Sequence, residues 1–287
     1  MSYAICPLSV IPVRSSASDR SEQLSQLLFG ELMQIVEFKG KAWVKVQTST
    51  DQVEGWVRTA QIHLIGEAEY KRYQEEFAFN FELKESLRTP DFFQPITLGA
   101  RLPAFDGMGF VLGGDAYTFS GRAVFPRDLR ADPNLLKQLV VQLMNAPFQH
   151  GGRTHLGIDG SGFVQLIYSL LGYKLPRRPL EQLLWGRMVP FVQQVQLGDL
   201  LFFEGFQNHR FYVGIALEDG QVVHVHDRVR IDLFDHFGLF DTERGNYLYR
   251  LRLIKRLLPD CSEQANREPE SSIEEETSRG KQLRVFS

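Results

Sequence analysis

One stretch constrains this chain more than any other: Gly151-Gly152-Arg153-Thr154-His155-Leu156-Gly157-Ile158-Asp159-Gly160-Ser161-Gly162-Phe163-Val164-Gln165. Gly151-Gly152 reads as a loop. Beyond the glycines, apolar residues recur at Phe163, Leu166, Ile167, Leu170 and Leu171, the spacing of one face of an α-helix. Gly172 stands where helices end on glycine. Residues 157–161 are therefore expected to form a turn that feeds a helix, at the helix's positive end.

Around this stretch the chain is long enough for two or three domains, with 287 residues. Its 43% hydrophobic content supports real cores. A net charge of −3 provides no broad basic surface, which argues against a nucleic-acid partner. No run of 18 apolar residues occurs, so no transmembrane helix is expected. Met1–Arg14 lacks a basic segment followed by a long apolar one, so no signal peptide is expected and a cytoplasmic protein fits best. The two cysteines, Cys6 and Cys261, lie at opposite ends without metal or redox spacing. Cys6 reads as a core residue and Cys261 as a thiol in a tail. No cofactor is called for.

Residues 1–65 read as short strands: Ala4–Cys6, Ile11–Arg14, Glu31–Glu37, Ala42–Val46 and Glu54–Val57, with a polar loop at 15–22. Trp43 and Trp56 read as core aromatics. From 66 to 130, Glu67–Phe79 is assigned as a connecting helix. Ile96–Gly99, Phe110–Leu112 and Ala116–Val124 are assigned as strands between glycine turns. Phe77, Phe79, Phe81, Phe92 and Phe93 read as core. Asp132-Pro133 opens a helix with Leu135, Leu136, Leu139, Val140 and Leu143 on one face. After the central motif come strands at 198–203, 211–217, 222–226 and 247–251. Helices followed by an antiparallel sheet make residues 131–258 an α+β domain. Residues 259–287 are polar and charged and read as a disordered tail.

The motif GGRTHLGIDGSGFVQ resembles the signature of the NlpC-type, papain-like cell-wall cysteine peptidases, which reads approximately G-G-R-(S/T)-x-x-G-x-D-C-S-G-(F/L)-x-Q. Residues 1–65, with V-R-x-x-x-S-x-x-S-E, L-x-x-G-E, W-V-K-V and G-W-V, resemble a bacterial SH3-like barrel. By the same resemblance, 66–130 is assigned as a linker plus a divergent second SH3-like domain. The implied fold is a papain-like NlpC-type domain behind one or two small SH3-like β-barrels.

The resemblance also assigns the site, and with it a difficulty. The nucleophilic cysteine's position holds Gly160. The histidine of the family's H-V-G-I strand, after G-D-L-x-F-F, is Tyr212. The third polar residue is His224, and the tyrosine of P-Y-x-W-G-G is Phe148, with His150 for the tryptophan. Glycine cannot attack, and tyrosine, with a reference pKa of about 10, is a poor base at neutral pH. Loss of a triad nucleophile alone costs on the order of 10⁶ in rate. The resemblance thus implies a catalytically inactive homologue whose cleft binds a murein peptide with a free N-terminal L-Ala, or a protein partner. Asp159, Ser161, Arg153, Tyr212 and His224 are the ligand-binding candidates. Asp159 reads equally as a helix cap, Ser161 leans towards capping, and Arg153 towards pairing with a neighbouring acid. The alternative is an active γ-D-glutamyl-L-diamino-acid endopeptidase carrying an engineered change at Gly160. A pure scaffold acting through its SH3-like surfaces is a third reading. Ser161 in D-G-S-G lacks the G-x-S-x-G elbow pattern. His209, His224 and His226 offer two ligands on one strand face and no evident third, so no metal site is expected.

Overall fold

The computed structural model describes residues 2–206 and 209–259. Cys261, and the tail from residue 260 onwards, lie outside the described residues. The N-terminal alternation forms seven strands: β1 Ser2–Ile5, β2 Val10–Arg14, β3 Gln23–Leu28, β4 Leu32–Lys39, β5 Trp43–Thr48, β6 Glu54–Arg58 and β7 His63–Ile65. They pair antiparallel in the order β3-β2-β6-β5-β4-β1-β7. Ile11, Val13, Leu27, Met33, Val44, Val46 and Val57 fill the core between them. Cys6 is buried with them; its thiol donates to the Leu8 carbonyl, and burial pushes its pKa up. Trp43 is buried beneath the Arg58 guanidinium, whereas Trp56 is half-buried beneath Lys39. Strand β3 is absent from the sequence expectation. Its Gln23-Leu24-Ser25-Gln26 start looks like solvent-facing loop, but Ser25 and Gln26 are buried because later parts of the chain cover them.

The helix expected over Glu67–Phe79 is shorter. It covers α1, Glu67–Glu75, and Phe77–Asn80 is instead a fully buried strand, β8. Four consecutive side chains that all need covering suit a central strand better than one helix face. Then follow β9 Lys84–Arg88, β10 Phe93–Thr97, β11 Arg101–Pro103, β12 Gly109–Leu112, β13 Asp115–Thr118 and β14 Ala123–Val124. They form two small antiparallel sheets, β10-β9-β13-β12 and β11-β8-β14. Their core joins Leu87, Ile96, Phe110 and Tyr117 to Ile5, Phe29 and Leu32 of the first sheet. Phe77, Phe79 and Phe81 are buried. Phe92 and Phe93 are not, correcting their core assignment: they flank the β9–β10 turn, and Arg88 covers Phe93.

The C-terminal part opens with α2, Pro133–Leu143, capped by Asp132, whose carboxylate accepts from the Asn134 amide at 2.8 Å. The short strands β15 Arg153–Thr154 and β16 Gly157–Ile158 pair across the glycine-rich loop. They lead into α3, Gly160–Leu170, and the one-turn α4, Pro179–Gln182. The sheet comprises β17 Arg187–Met188, β18 Leu200–Gly205, β19 Phe211–Ala216, β20 Gln221–His226, β21 Arg228–Phe234, β22 Gly238–Asp241 and β23 Asn246–Arg256. Its order is β17-β23-β18-β19-β20-β21-β22, and β22 also pairs with β23, closing six strands into a barrel. Leu201, Phe203, Val222, Leu239 and Ile254 pack together, and α3 lies across β19 and β20. The whole is α+β. Strand β21 is not legible in the sequence, because the buried members of Arg228-Val229-Arg230-Ile231-Asp232 include two charged residues, Arg230 and Asp232; the four-residue β22 is too short to show a period.

The first sheet seals against the glycine-rich loop. Gly151 has φ +72°, and a Cβ there would lie 2.4 Å from the Gln23 carbonyl oxygen, so only glycine fits. The Arg153 amide donates to Gln26 Oε1 at 2.7 Å, and its guanidinium forms a two-pronged pair with Glu31 at 2.7 and 2.9 Å. Both side chains are almost wholly buried. Removing one partner leaves a buried charge uncompensated, which costs about 3–5 kcal/mol. Glu31→Gln should therefore lower unfolding stability by roughly that order, read by denaturant titration, with Lys71→Gln in an exposed helical ion pair as the near-neutral control.

Candidate functional site

Helix α3 begins at Gly160 because Asp159 caps it, and every oxygen of that carboxylate is engaged. Oδ1 accepts from the Gly162 amide at 2.8 Å and from the Ser161 hydroxyl at 3.2 Å. Oδ2 accepts from the Gly151 amide at 2.9 Å. The Arg177 guanidinium grips both oxygens, at 2.9 and 2.7 Å, and also reaches Ser161 Oγ at 2.8 Å and Ser25 Oγ of the first sheet at 3.2 Å. Burial alone would raise the Asp159 pKa; Arg177 and the capping amides outweigh it and hold it below the usual carboxylate range. Arg177 carries no periodic or motif signal of its own beyond Leu175-Pro176-Arg177, so the sequence does not mark it as part of the site.

Gly160 itself faces β19: a Cβ there would meet the Val213 carbonyl oxygen at 3.2 Å. The next residue back, Tyr212, is half-buried and stacks on Tyr249 with ring centroids 4.0 Å apart and an interplanar angle of 15°. Tyr249 was absent from the sequence-derived set; it lies on β23, brought to β19 by the barrel. His226 Nδ1 lies 2.8 Å from Tyr249 Oη, and Arg244 Nη1 lies 3.2 Å from His226 Nε2. An arginine only donates, so Nε2 is the acceptor, Nδ1 carries the proton, and His226 donates to Tyr249. The Tyr249 hydroxyl in turn bonds Tyr212; burial first, and then Tyr212, raises the Tyr249 pKa. A directed chain thus runs Arg244, His226, Tyr249, Tyr212.

His224 is on the neighbouring strand and points elsewhere. It is buried, with Nε2 2.8 Å from Asp232 Oδ2. Asp232 also receives the Thr242 amide and hydroxyl at 3.0 and 2.9 Å and pairs with Arg230, which bridges to Asp241 at 3.0 Å. Burial opposes ionisation of Asp232, but the bonds from His224 and Thr242 overcome it and hold its pKa far below the carboxylate norm. Burial pushes the His224 pKa below its ordinary 6.5, with Asp232 opposing. Phe148 is 51% exposed beside this region, its amide donating to the Asp227 carbonyl at 2.8 Å. His150 leans outward to Glu22 at 2.7 Å. His209 bonds Glu204 at 2.7 Å, so His209, His224 and His226 each hold a different partner.

The sequence candidates therefore fall into two groups. Gly160 and Tyr212 lie where the start of α3 meets β19, Phe148 lies by the β20–β21 turn, and His224 on β20 is turned to Asp232. Asp159, Ser161 and Arg153 lie beneath them, bonded into the frame that joins α3 to the first sheet.

A glycine-entered helix lies across an antiparallel barrel, and the first sheet is sealed to the loop before that helix. Residues 145–241 match the NlpC/P60 family and residues 9–62 match the bacterial SH3 domain, so the chain carries an NlpC/P60 domain and a bacterial SH3 domain. It is 34% identical over 84 residues to a probable endopeptidase of Haemophilus influenzae, 29% of this chain and 52% of that protein. It is also 34% identical over 83 residues to a gamma-D-glutamyl-L-lysine dipeptidyl-peptidase of Bacillus subtilis, 28% of each chain. The chain thus spans about half or less of the length of these relatives. An NlpC/P60 family protein of Bacillus cereus shares its fold, with a TM-score of 0.76 at 19% identity, covering 90% of this chain and 100% of that one.

Two outcomes test this geometry. Asp159→Ala strips a cap and strands the Arg177 charge, and should cost about 3–5 kcal/mol of unfolding free energy by denaturant titration. Unfolded His224 protonates near pH 6.5 and the folded residue only at lower pH. The unfolded chain therefore binds more protons in that window, and stability falls as pH drops from 7 towards 5. His224→Gln should flatten this decline in melting temperature against pH.

Proposed function

We propose that the NlpC/P60 domain binds a peptidoglycan-type stem peptide, in the cytoplasm, without hydrolysing it. The observation that carries this reading is the residue at 160. The helix start that would activate a nucleophile holds glycine, which has no side chain to attack with. Tyr212 and His224 support it. Tyr212 stands at the end of a chain of donors from Arg244, which suits it to offer a hydrogen bond rather than to take a proton. His224 is bound to Asp232. On this reading Phe148 and Tyr212 provide an aromatic surface for the ligand, while Asp159, Ser161 and Arg153 serve the frame and do not contact it. Among the described residues no helix is long and apolar enough to cross a membrane.

The test is calorimetric titration of L-Ala-γ-D-Glu-diaminopimelate, with product analysis of the same samples. Saturable binding with intact peptide is expected, weakened on the order of tenfold by Tyr212→Ala, about 1.4 kcal/mol. Gly160→Cys alone should not restore cleavage, because position 212 provides no base. Cleavage by the unaltered chain, or no binding at all, would overturn the proposal.

A further inference from the structure

We infer that a second, buried site for a small carboxylate or oxyanion lies where the first sheet, the middle sheets and the NlpC/P60 domain meet, with Arg101 as its anchor. A cavity of about 90 Å³ opens there, lined from α3 by Gln165, Leu166 and Ser169 and not by Phe148 or Tyr212. Arg101 on β11 lies in its wall and is 7% exposed. Its guanidinium lies over the rings of Phe77 and Phe79, at 4.6 and 5.7 Å from their centroids, and among the described residues it has no hydrogen bond and no ion pair. Its Nε is buried without a partner.

The neighbouring acids are already committed. Glu31 gives both oxygens to Arg153. Asp51 accepts from Thr48 Oγ1 and, at 3.0 Å, from Gln165 Nε2. Three more atoms of the wall are buried without partners: Arg153 Nε, Thr50 Oγ1 and Gln165 Oε1. Two guanidiniums and a hydroxyl thus offer donors around one small space, and Gln165 adds an acceptor.

Arginine keeps its proton at neutral pH, and a buried ion without a bonded counter-group is strongly disfavoured. Burial acts against the Arg101 charge here, and Arg153 adds to that pressure while Glu31 relieves it. An anion supplied from outside resolves both. A guanidinium matches a carboxylate or oxyanion two-prong to two-prong, and its aromatic floor leaves the donor edges free. A space of this size suits a small anion such as acetate or phosphate. A cation is excluded by the pair of arginines. Because the wall draws on all three regions, an occupant ties them together and should raise the stability of the folded chain by mass action.

The experiment uses the full chain in thermal unfolding against sodium acetate and, separately, sodium phosphate, with sodium chloride holding ionic strength constant. A saturable rise in melting temperature is expected with at least one of the two anions. Arg101→Met should unfold no lower than the unaltered chain in chloride alone, since it removes an uncompensated buried charge, and should show an apparent affinity at least tenfold weaker. Should Arg101→Met fail to fold, Thr50→Val provides a milder test, weakening the response while leaving the arginines in place. No saturable rise with either anion would overturn the inference. So would equal responses of the unaltered and Arg101→Met proteins, which would mean a general salt effect around a cavity holding only water.

Discussion

The Asp159–Arg177 pair is the interaction on which the architecture depends. It decides where α3 starts, because the same carboxylate caps the helix and holds the Gly151 amide of the loop before it. Through Arg177 it reaches Ser25, so a helix cap becomes a joint between two sheets far apart in the chain. A pair this buried gains little net energy over a well-packed apolar contact. What it provides is uniqueness: the guanidinium fork fits in one way, and the loop, the helix start and strand β3 are fixed together.

Much of this was open to reading in the sequence. The helix after Gly162, the Asp132-Pro133 start and the alternating strands at the N-terminus follow from period and capping chemistry, which act within a few residues. The same rules fail where burial is decided from a distance. Strand β3 looks polar because its partners, Arg153 and Arg177, come from more than 120 residues later. Strand β21 hides for a different reason: its buried face includes two charged residues, Arg230 and Asp232, which pair with each other and bond to Asp241 and His224 only 11 and 8 positions away, a pairing that no period reveals. Residues 77–79 fall inside an expected helix because period alone cannot separate a short buried strand from a helix turn.

The site was legible in part. The positions 160, 212, 224 and 148 follow from pattern; in the fold Gly160 faces β19 beside Tyr212, while His224 is turned to Asp232. Tyr249, His226 and Arg244 were not found together, since they sit on two strands and a turn that only the barrel's closure brings together. Asp159 was open between cap and ligand contact; the fold shows the cap, and its charged partner Arg177, 18 positions away, carries no local signal. Side-chain identity is local information, but commitment to one role is not.

The ion pair between Arg153 and Glu31 has a consequence for how such a chain can be taken apart. SH3-like and peptidase-like segments are commonly treated as beads that can be moved between strings. Here the seam carries buried charges contributed from both sides, and the middle segment shares its core with the first sheet. Cutting the chain between them would not release two self-sufficient pieces. Each would expose apolar core and a charge shaped for a partner it no longer has. Evolution can replace either part only by changing both faces of the seam together, so the chain is modular as text and indivisible as a folding unit.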